Sequence, residues 1–165
     1  MTTEGYLVIT AGKILRQING KKTNALLGIL PNGSFKYYES SPYTDVINDG
    51  VQDTITFGPL LINNKQSYKQ QVGSPRQNPE LSKKKNLACI GQMDTNNFII
   101  ITTRVKSTYK KARQLGLKLG CDLLYNIDGG GSTSLWFRNG NTGKGTAVFG
   151  GGRPVGDAIY FTTLK

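Results

Sequence analysis

One segment of the sequence combines residue types that could act on a sugar phosphate. Asn126 and Asp128 flank the apolar Ile127, and three glycines, a serine and a threonine follow. Alternate residues of a strand project to the same face, so the amide and the carboxylate would lie together at a strand end. Successive glycines allow close approach of a ligand, and their N–H groups can form a concave anion-binding nest. The residues of this segment predicted to bind substrate are Gly129, Gly130, Gly131, Ser132 and Thr133.

The same segment could instead be a structural turn in which Asn126 and Asp128 only satisfy backbone groups. Two common nucleotide-binding motifs do not fit the glycines of this chain. Residues 143–146 have Arg138 where a P-loop requires a glycine, and residues 129–131 are followed by Ser134 where the dinucleotide motif has its third glycine. Spacing alone therefore leaves a binding site and a turn as alternatives.

The chain contains no histidine among its 165 residues. This excludes Ser-His-Asp and Cys-His nucleophile systems, HExxH zinc sites and imidazole acid–base catalysis. Proton transfer would fall to carboxylates, tyrosine, lysine or cysteine. Glycoside cleavage commonly uses two carboxyl groups, and Asp128 with Asp157 is the pair that we would test first, although Asp157 could equally bond a neighbouring loop. The predicted catalytic residues are Asp128, Asp157 and Asn126.

The formal net charge is +11, from 21 basic and 10 acidic residues, which favours an anionic partner. Arg76, Arg104 and Arg153 stand singly beside turns or strand ends, where a guanidinium can bind phosphate. The run of three lysines at residues 83–85 is interpreted as solvated surface. Because the tyrosines lie away from the lysine runs, nucleic-acid binding ranks last among the alternatives.

No cofactor is predicted. Oxygen atoms of Asp128 and Asn126 could hold a hard divalent cation, which the sequence leaves open, although no dense carboxylate cluster demands one. The longest strongly apolar run, residues 98–101, is too short to span a membrane, and the N-terminus does not have the pattern of a signal peptide. Cys89 and Cys121 have apolar neighbours and are predicted to be buried free thiols.

The elements that would position these residues are mostly strands, so we predict a single α+β domain. Apolar runs and turn residues predict hairpins with turns at Gly12, at Asn32-Gly33 and at residues 94–96. Further strands are predicted at residues 123–127, 135–137 and 153–161. A helix is predicted from about residue 108 to 120, with an apolar stripe of Ala112, Leu115 and Leu119. Residues 63–86 are polar and predict a long loop, either a binding loop or a mobile insertion.

Four motifs together resemble the phosphodiester glycosidase family. Residues 125–133 are similar to its N-[LI]-D-G-G-G-S-[ST] signature, and residues 108–121 resemble the helix that leads into it. Residues 50–61 resemble the segment G-V-x-x-[AT]-x-x-F-G-P-x-L, and residues 153–161 resemble the closing strand R-x-V-x-[DN]-x-[IL]-x-[FV]. The family includes the domain of the lysosomal enzyme that uncovers mannose 6-phosphate, and also bacterial and phage proteins; we expect a bacterial or phage member.

The resemblance implies a mixed, mostly antiparallel sheet with one main helix. It also implies a hydrolase that cleaves the bond between the anomeric carbon of a sugar and a phosphate oxygen. Asp128 and Asn126 would lie at the reacting sugar, and the glycine segment with Arg153 would hold the phosphate. The substrate would be an anionic glycan or a cell-wall polymer resembling teichoic acid, which suits the positive charge of the chain.

Three departures from the family pattern support a second hypothesis. Residues 1–165 form a domain that starts after the family's usual N-terminal strand. Leu87 stands where the family has an arginine, which Arg76 could replace from the long loop, and Thr102-Thr103-Arg104 keeps only the arginine of D-G-R. The alternative is therefore a catalytically impaired glycan-binding module of a larger phage tail or surface protein. Its location would be a virion or the extracellular space, as part of a longer polypeptide or assembly.

Overall fold

The computed structural model describes residues 7–17, 22–23, 25–68, 84–138, 140, 142–150, 154 and 158–161. Within these ranges the chain forms twelve strands and two α-helices, and every strand pair is antiparallel. The predicted α+β fold class is confirmed. None of the helices in these ranges has the length and apolar character needed to cross a membrane.

The N-terminal hairpin forms as the sequence predicts. Strands β1 (Leu7–Thr10) and β2 (Lys13–Gln17) are joined by Ala11 and Gly12. Both turn residues have positive φ, 48° and 73°, which a two-residue type I′ turn requires and which twists in the same sense as the strands.

A three-stranded sheet follows, with the spatial order β4-β3-β5. Strands β3 (Leu26–Ile29) and β4 (Phe35–Tyr38) form the predicted hairpin, and Gly33 at its turn has a φ of 81°. A short helix, α1 (Tyr43–Asn48), leads to β5 (Asp53–Thr56), which pairs with the other edge of β3.

A five-stranded sheet positions the predicted site. Its strands, in spatial order, are β7 (Gln66–Ser67), β6 (Leu60–Asn63), β10 (Leu123–Asn126), β8 (Ala88–Asp94) and β9 (Asn97–Thr102). Strand β10 pairs with β6 on one side and with β8 on the other, and all four of its residues are buried. Because β10 is the central strand, Asn126 at its end lies in the middle of the sheet and not at an exposed edge.

The polar segment predicted as a loop, residues 63–86, is described only at its two ends. At the first end, Asn64 and Lys65 have positive φ and connect β6 to the short strand β7. At the second end, Lys85 forms an isolated bridge with Ser107. Residues 69–83, including Arg76, lie outside the described part of the chain.

The main helix, α2 (Tyr109–Lys118), begins as predicted, because the hydroxyl of Thr108 accepts a hydrogen bond from the N–H of Lys111. Of the predicted apolar stripe, Ala112 is buried, but Leu115 and Leu119 are 43% and 44% exposed, so the prediction is wrong at these two positions. The other buried residues of the helix are Tyr109 and Gly116.

The position of Gly116 explains why the helix buries a different face from the predicted one. A Cβ atom at Gly116 would lie 2.7 Å from methyl carbons of both Ile62 and Leu124, so the helix backbone lies directly against the five-stranded sheet. Periodicity of large apolar residues does not detect such a face, because the residue at its centre has no side chain.

The two faces of β10 pack against different layers. Leu124 joins the core beneath α2, together with Ala112. Leu123 and Tyr125 face the opposite side and pack with Leu27 of the three-stranded sheet. The strand that ends at Asn126 is therefore enclosed between a helix and a second sheet.

The C-terminal region contains a predicted strand, a missed strand and a predicted strand that is described only in part. Strand β11 (Leu135–Arg138) confirms the prediction at residues 135–137, whereas β12 (Gly145–Phe149) lies in a glycine-rich stretch where no strand was predicted. Of the closing strand predicted at residues 153–161, residues 158–161 are described and are not in a strand. Tyr160 is exposed and the ring of Phe161 contacts Phe98, so side-chain contact replaces strand pairing there.

Candidate functional site

The amide of Asn126 is buried at the end of β10 and held from both sides. Its side chain donates from Nδ2 to the carbonyl of Gly58 at 2.7 Å and accepts at Oδ1 from the Cys89 thiol, with an S···O distance of 3.9 Å. Its backbone N–H donates to the carbonyl of Pro59, and its carbonyl accepts from the N–H of Gly58. Asn126 is 1% exposed, and these bonds fix the orientation of its amide.

The hydroxyl of Tyr125 fixes the segment that carries Phe57. This hydroxyl donates to the carbonyl of Ala25 at 2.6 Å and accepts from the N–H of Phe57 at 2.8 Å. Tyr125 is fully buried on the face of β10 opposite to Asn126. Tyr125 and Asn126, which are neighbours in β10, thus hold the same connecting segment: Tyr125 bonds to Phe57, and Asn126 bonds to Gly58.

The glycine segment folds tightly against Asn86. The N–H of Gly130 donates to the carbonyl of Asn86 at 3.0 Å. A Cβ atom on Gly129 would lie 2.6 Å from the same oxygen, so only glycine fits at this position without movement of the backbone. The carboxylate of Asp128 accepts from the N–H of Gly129 at 2.8 Å.

Backbone donors of this segment are largely used within the protein. In a single 3₁₀ turn (Gly130–Ser132), the N–H groups of Ser132 and Thr133 donate to the carbonyls of Gly129 and Gly130. With the two bonds described above, four N–H groups are engaged. The anion nest is predicted from the N–H groups of the three glycines, and it is wrong for Gly129 and Gly130, because the Asp128 carboxylate and the carbonyl of Asn86 accept their hydrogen bonds.

Lys85 brings a positive charge to the site. Its ammonium nitrogen lies 4.3 Å from the centroid of the Tyr109 ring, within the range of a cation–π interaction. Its backbone exchanges two hydrogen bonds of 2.8 Å with Ser107, immediately before the cap of α2. The interpretation of this lysine as part of a solvated run is wrong, because the backbone bridge and the aromatic ring hold it at the site.

Burial keeps two other titratable groups neutral. Cys89 and Cys121 are buried free thiols, as predicted, and burial raises the pKa of Cys89 to about 12 although nearby Lys85 acts in the opposite direction. Burial also raises the pKa of Tyr109 well above its ordinary value. The thiol of Cys89 therefore keeps the proton that it shares with Asn126 even at moderately alkaline pH.

These groups surround a cavity of about 270 Å³. Its lining residues are Phe57, Lys85, Asn86, Tyr109, Asn126, Asp128, Gly129 and Gly130. The volume is slightly below the range of about 300–1,000 Å³ that is typical of pockets for drug-sized ligands, so the cavity suits one sugar or phosphate unit. The lining residues thus include an acid, two amides, a lysine and two aromatic residues around a space for a small polar ligand, and the amide of Asn126 is already bonded to Gly58 and Cys89.

The structure brings together only some of the predicted site residues. Those that line the cavity are Asn126, Asp128, Gly129 and Gly130. Gly131, Ser132 and Thr133 continue the segment but do not contribute to the lining. Thr133 is buried, and its hydroxyl has no hydrogen-bond partner within the described residues. Asp157, Arg153 and Arg76 lie outside the described residues and stay predictions.

Arg104 is described, and the structure places it away from the cavity lining. It is exposed, and its Nη2 donates to the carbonyl of Val148 in β12 at 2.9 Å. Sequence reasoning also missed the contributions of Lys85, Asn86 and Tyr109, which no local motif indicates. Phe57 is the exception, since it belongs to the F-G-P motif of the resemblance. No group of three or more Cys, Asp or Glu side chains converges in the described ranges.

Comparison with known proteins agrees with this arrangement at the level of family and fold. A sequence model of the phosphodiester glycosidase family matches residues 1–162. The solved catalytic domain of zebrafish N-acetylglucosamine-1-phosphodiester alpha-N-acetylglucosaminidase, auto-inhibited by its pro-peptide, is similar with a TM-score of 0.61 and 16% identity. The match covers 78% of this chain and 47% of that chain, so this chain spans about half the length of that structure. No curated protein matches the sequence.

Proposed function

Because the chain belongs to the phosphodiester glycosidase family, we propose that it hydrolyses the bond between the anomeric carbon of a sugar and a phosphodiester oxygen. The observation that carries the proposal is the convergence of Lys85, Asn126 and Asp128 on one cavity. The substrate is an anionic glycan or surface polymer, for which a net charge of +11 is suited.

Asp128 is the carboxylate that acts at the anomeric carbon. When the C1–O bond breaks, its electron pair leaves with the phosphate oxygen and positive charge develops on the sugar. Water adds to C1, and its proton passes to Asp128, whose negative charge also stabilises the developing cation. Asp128 lines the cavity, and the hydrogen bond from the N–H of Gly129 restrains its carboxylate.

Lys85 stabilises the departing phosphate. A phosphate monoester is a weak base, so its departure depends less on protonation than that of a sugar alcohol. A fixed ammonium beside the leaving oxygen stabilises the negative charge that develops there. The Tyr109 ring and the backbone bridge to Ser107 hold the lysine before substrate binds. Asp157 as a second carboxyl group stays a prediction.

The test is release of free sugar from a panel of glycosyl-1-phosphodiesters. Asp128→Asn should lower the rate about 10³-fold, because it removes the negative charge while keeping the shape of the side chain. Lys85→Met should lower kcat/KM about 10²-fold. The matched control is Lys84→Met, because Lys84 is exposed and does not line the cavity. Full turnover by Asp128→Asn would contradict the assignment.

The alternative is a module that binds such a glycan without cleaving it. Leu87, at the position where the family pattern has an arginine, is fully buried in the core beneath α2. No guanidinium therefore reaches the cavity from this position of the chain. Saturable binding of the polymer by the wild-type protein, with no sugar released from any member of the panel, would favour this alternative.

A further inference from the structure

The β11–β12 hairpin is exposed to an unusual degree for a sheet that carries large aromatic residues. Trp136 is 61% exposed and Phe137 is 69% exposed, although neighbouring residues of a strand point to opposite faces. Within the described part of the chain, these two strands pair only with each other. Both faces of this ribbon, defined as residues 135–149, are therefore open to a ligand.

The base of the ribbon is fixed beside the glycine segment of the cavity. Strand β11 begins just after the 3₁₀ turn, and Gly150 at the end of β12 packs so closely that a Cβ there would lie 2.0 Å from the carbonyl oxygen of Thr133. The register skips Val148, and Arg104 donates to the carbonyl of this bulged residue. The ribbon is thus attached at two points: at Thr133, which belongs to the glycine segment, and at Arg104, which does not line the cavity.

One face of the ribbon combines an aromatic ring with a guanidinium. Trp136 and Arg138 are two residues apart on β11 and share this face. Their partners across the ladder are the small residues Ala147 and Gly145. A Cβ atom on Gly145 would lie 3.8 Å from the indole, so the side chains opposite are too small to cover the ring. The two Cα positions are about 6.6 Å apart, so one extended ligand can contact both side chains.

The charge of the ribbon selects an anionic occupant. The sequence has no acidic residue between Asp128 and Asp157, whereas Arg138 and Lys144 both lie on or beside the ribbon. Arg138 is held by a hydrogen bond from its Nε to the carbonyl of Gly143 at 3.2 Å. Its remaining N–H groups can donate to phosphate oxygens.

We propose that the Trp136–Arg138 face binds the polymer chain of the substrate, outside the cavity where cleavage occurs. The indole packs against the C–H face of a sugar ring, and the guanidinium binds the neighbouring phosphodiester. The ligand is a polymer of sugars joined through phosphates, and this substrate class rests on the proposed function. Cleavage at the cavity then acts on a chain that is already held on the ribbon.

The test measures binding separately from cleavage. The full chain carrying Asp128→Asn is titrated with a poly(glycosyl-1-phosphate), and hydrolysis of a single-repeat glycosyl-1-phosphodiester is measured on the otherwise wild-type chain. Trp136→Ala should weaken polymer binding about tenfold and Arg138→Ala about threefold, whereas hydrolysis of the single repeat should not change. Phe137→Ala is the matched control, because it removes an equally exposed ring from the opposite face. Unchanged melting temperatures would exclude unfolding as the cause.

Three results would overturn the proposal. One is equal weakening by Phe137→Ala, and another is absence of polymer binding by the parent protein. The third is binding of oligothymidylate that is as tight as binding of the polymer and that is lost in Trp136→Ala. This result would make the ribbon a nucleic-acid surface. Failure to hydrolyse the single repeat would contradict the proposed function alone, because polymer binding is measured without turnover.

Discussion

The central strand β10 and the β11–β12 ribbon are nearly adjacent in the chain but differ in how they hold their residues. Every residue of β10 is buried between a helix and a second sheet, whereas Trp136 and Phe137 of β11 are exposed. The buried strand gives Asn126 one fixed orientation, which suits the proposed catalysis at a defined atom. The ribbon presents side chains without enclosing them, which suits the proposed binding of a long and variable polymer. The two proposals thus assign positioning and capture to two neighbouring elements.

The largest expected effect tests how tightly the sheet is packed. Gly116→Val should lower the free energy of unfolding by about 3 kcal/mol, because its side chain would overlap Ile62 and Leu124. Gly145→Val in the ribbon should change it by about 0.5 kcal/mol or less, since the space there is open and valine favours strands. Urea unfolding of both variants measures this free energy. A similar loss of unfolding free energy in the two variants would show that the two regions do not differ in how tightly they are packed.

The second effect separates two glycines of the same segment. Gly129→Ala should lower the rate of sugar release about 10²-fold, because its Cβ would displace the loop from the carbonyl of Asn86. Gly131→Ala should retain most activity, since a Cβ there meets no atom within 4 Å. Initial rates on one glycosyl-1-phosphodiester compare the pair. Equal rates for the two variants would mean that the fit against Asn86 does not position Asp128.

The smallest effect is a dependence of stability on alkaline pH. The folded pKa of Cys89 is raised to about 12, from an ordinary value of 9.0, so the folded protein keeps a proton that the unfolded chain loses. This stabilisation is complete below pH 9 and is lost as the pH rises toward 12. The free energy of unfolding should therefore fall by about 1 kcal/mol between about pH 8 and about pH 9.6.

Cys89→Ala should reduce that slope, whatever its effect on stability at pH 8. The ribbon contains neither cysteine nor tyrosine between residues 135 and 149, so it should contribute nothing to the dependence of stability on alkaline pH. A slope that is unchanged in Cys89→Ala would show that other groups, such as the buried tyrosines, account for the alkaline loss.

Local signals in the sequence predict local structure well. The Asn32-Gly33 turn, the helix start near residue 108 and the Asn126–Asp128 spacing each depend on a few consecutive residues, and the structure places strands, a helix and a cavity there. Strand β12 was missed because it begins at a glycine within a glycine-rich stretch, and glycine is typical of turns.

The parts that could not be predicted depend on residues far apart in the chain. Lys85 reaches the cavity through Tyr109, 24 positions later, and no periodic pattern links a lysine run to a helix start. Gly116 lies at the centre of the buried face of α2 because it has no side chain and lets the helix approach the sheet. A pattern of hydrophobic side chains does not register a glycine as part of a buried face. In both cases the packing of one element on another decides the outcome, and it overrides the local preference of the residues.

The hydroxyl of Tyr125 bonds to a carbonyl 100 residues earlier in the chain, at Ala25. Contacts of such sequence separation form slowly, because a large loop must close before they contribute any stability. The strands of the ribbon pair within the fifteen residues from Leu135 to Phe149, although the ribbon is anchored to the fold at Thr133 and Arg104. During refolding of the complete chain, this local pairing should therefore form before the bond between Tyr125 and Ala25.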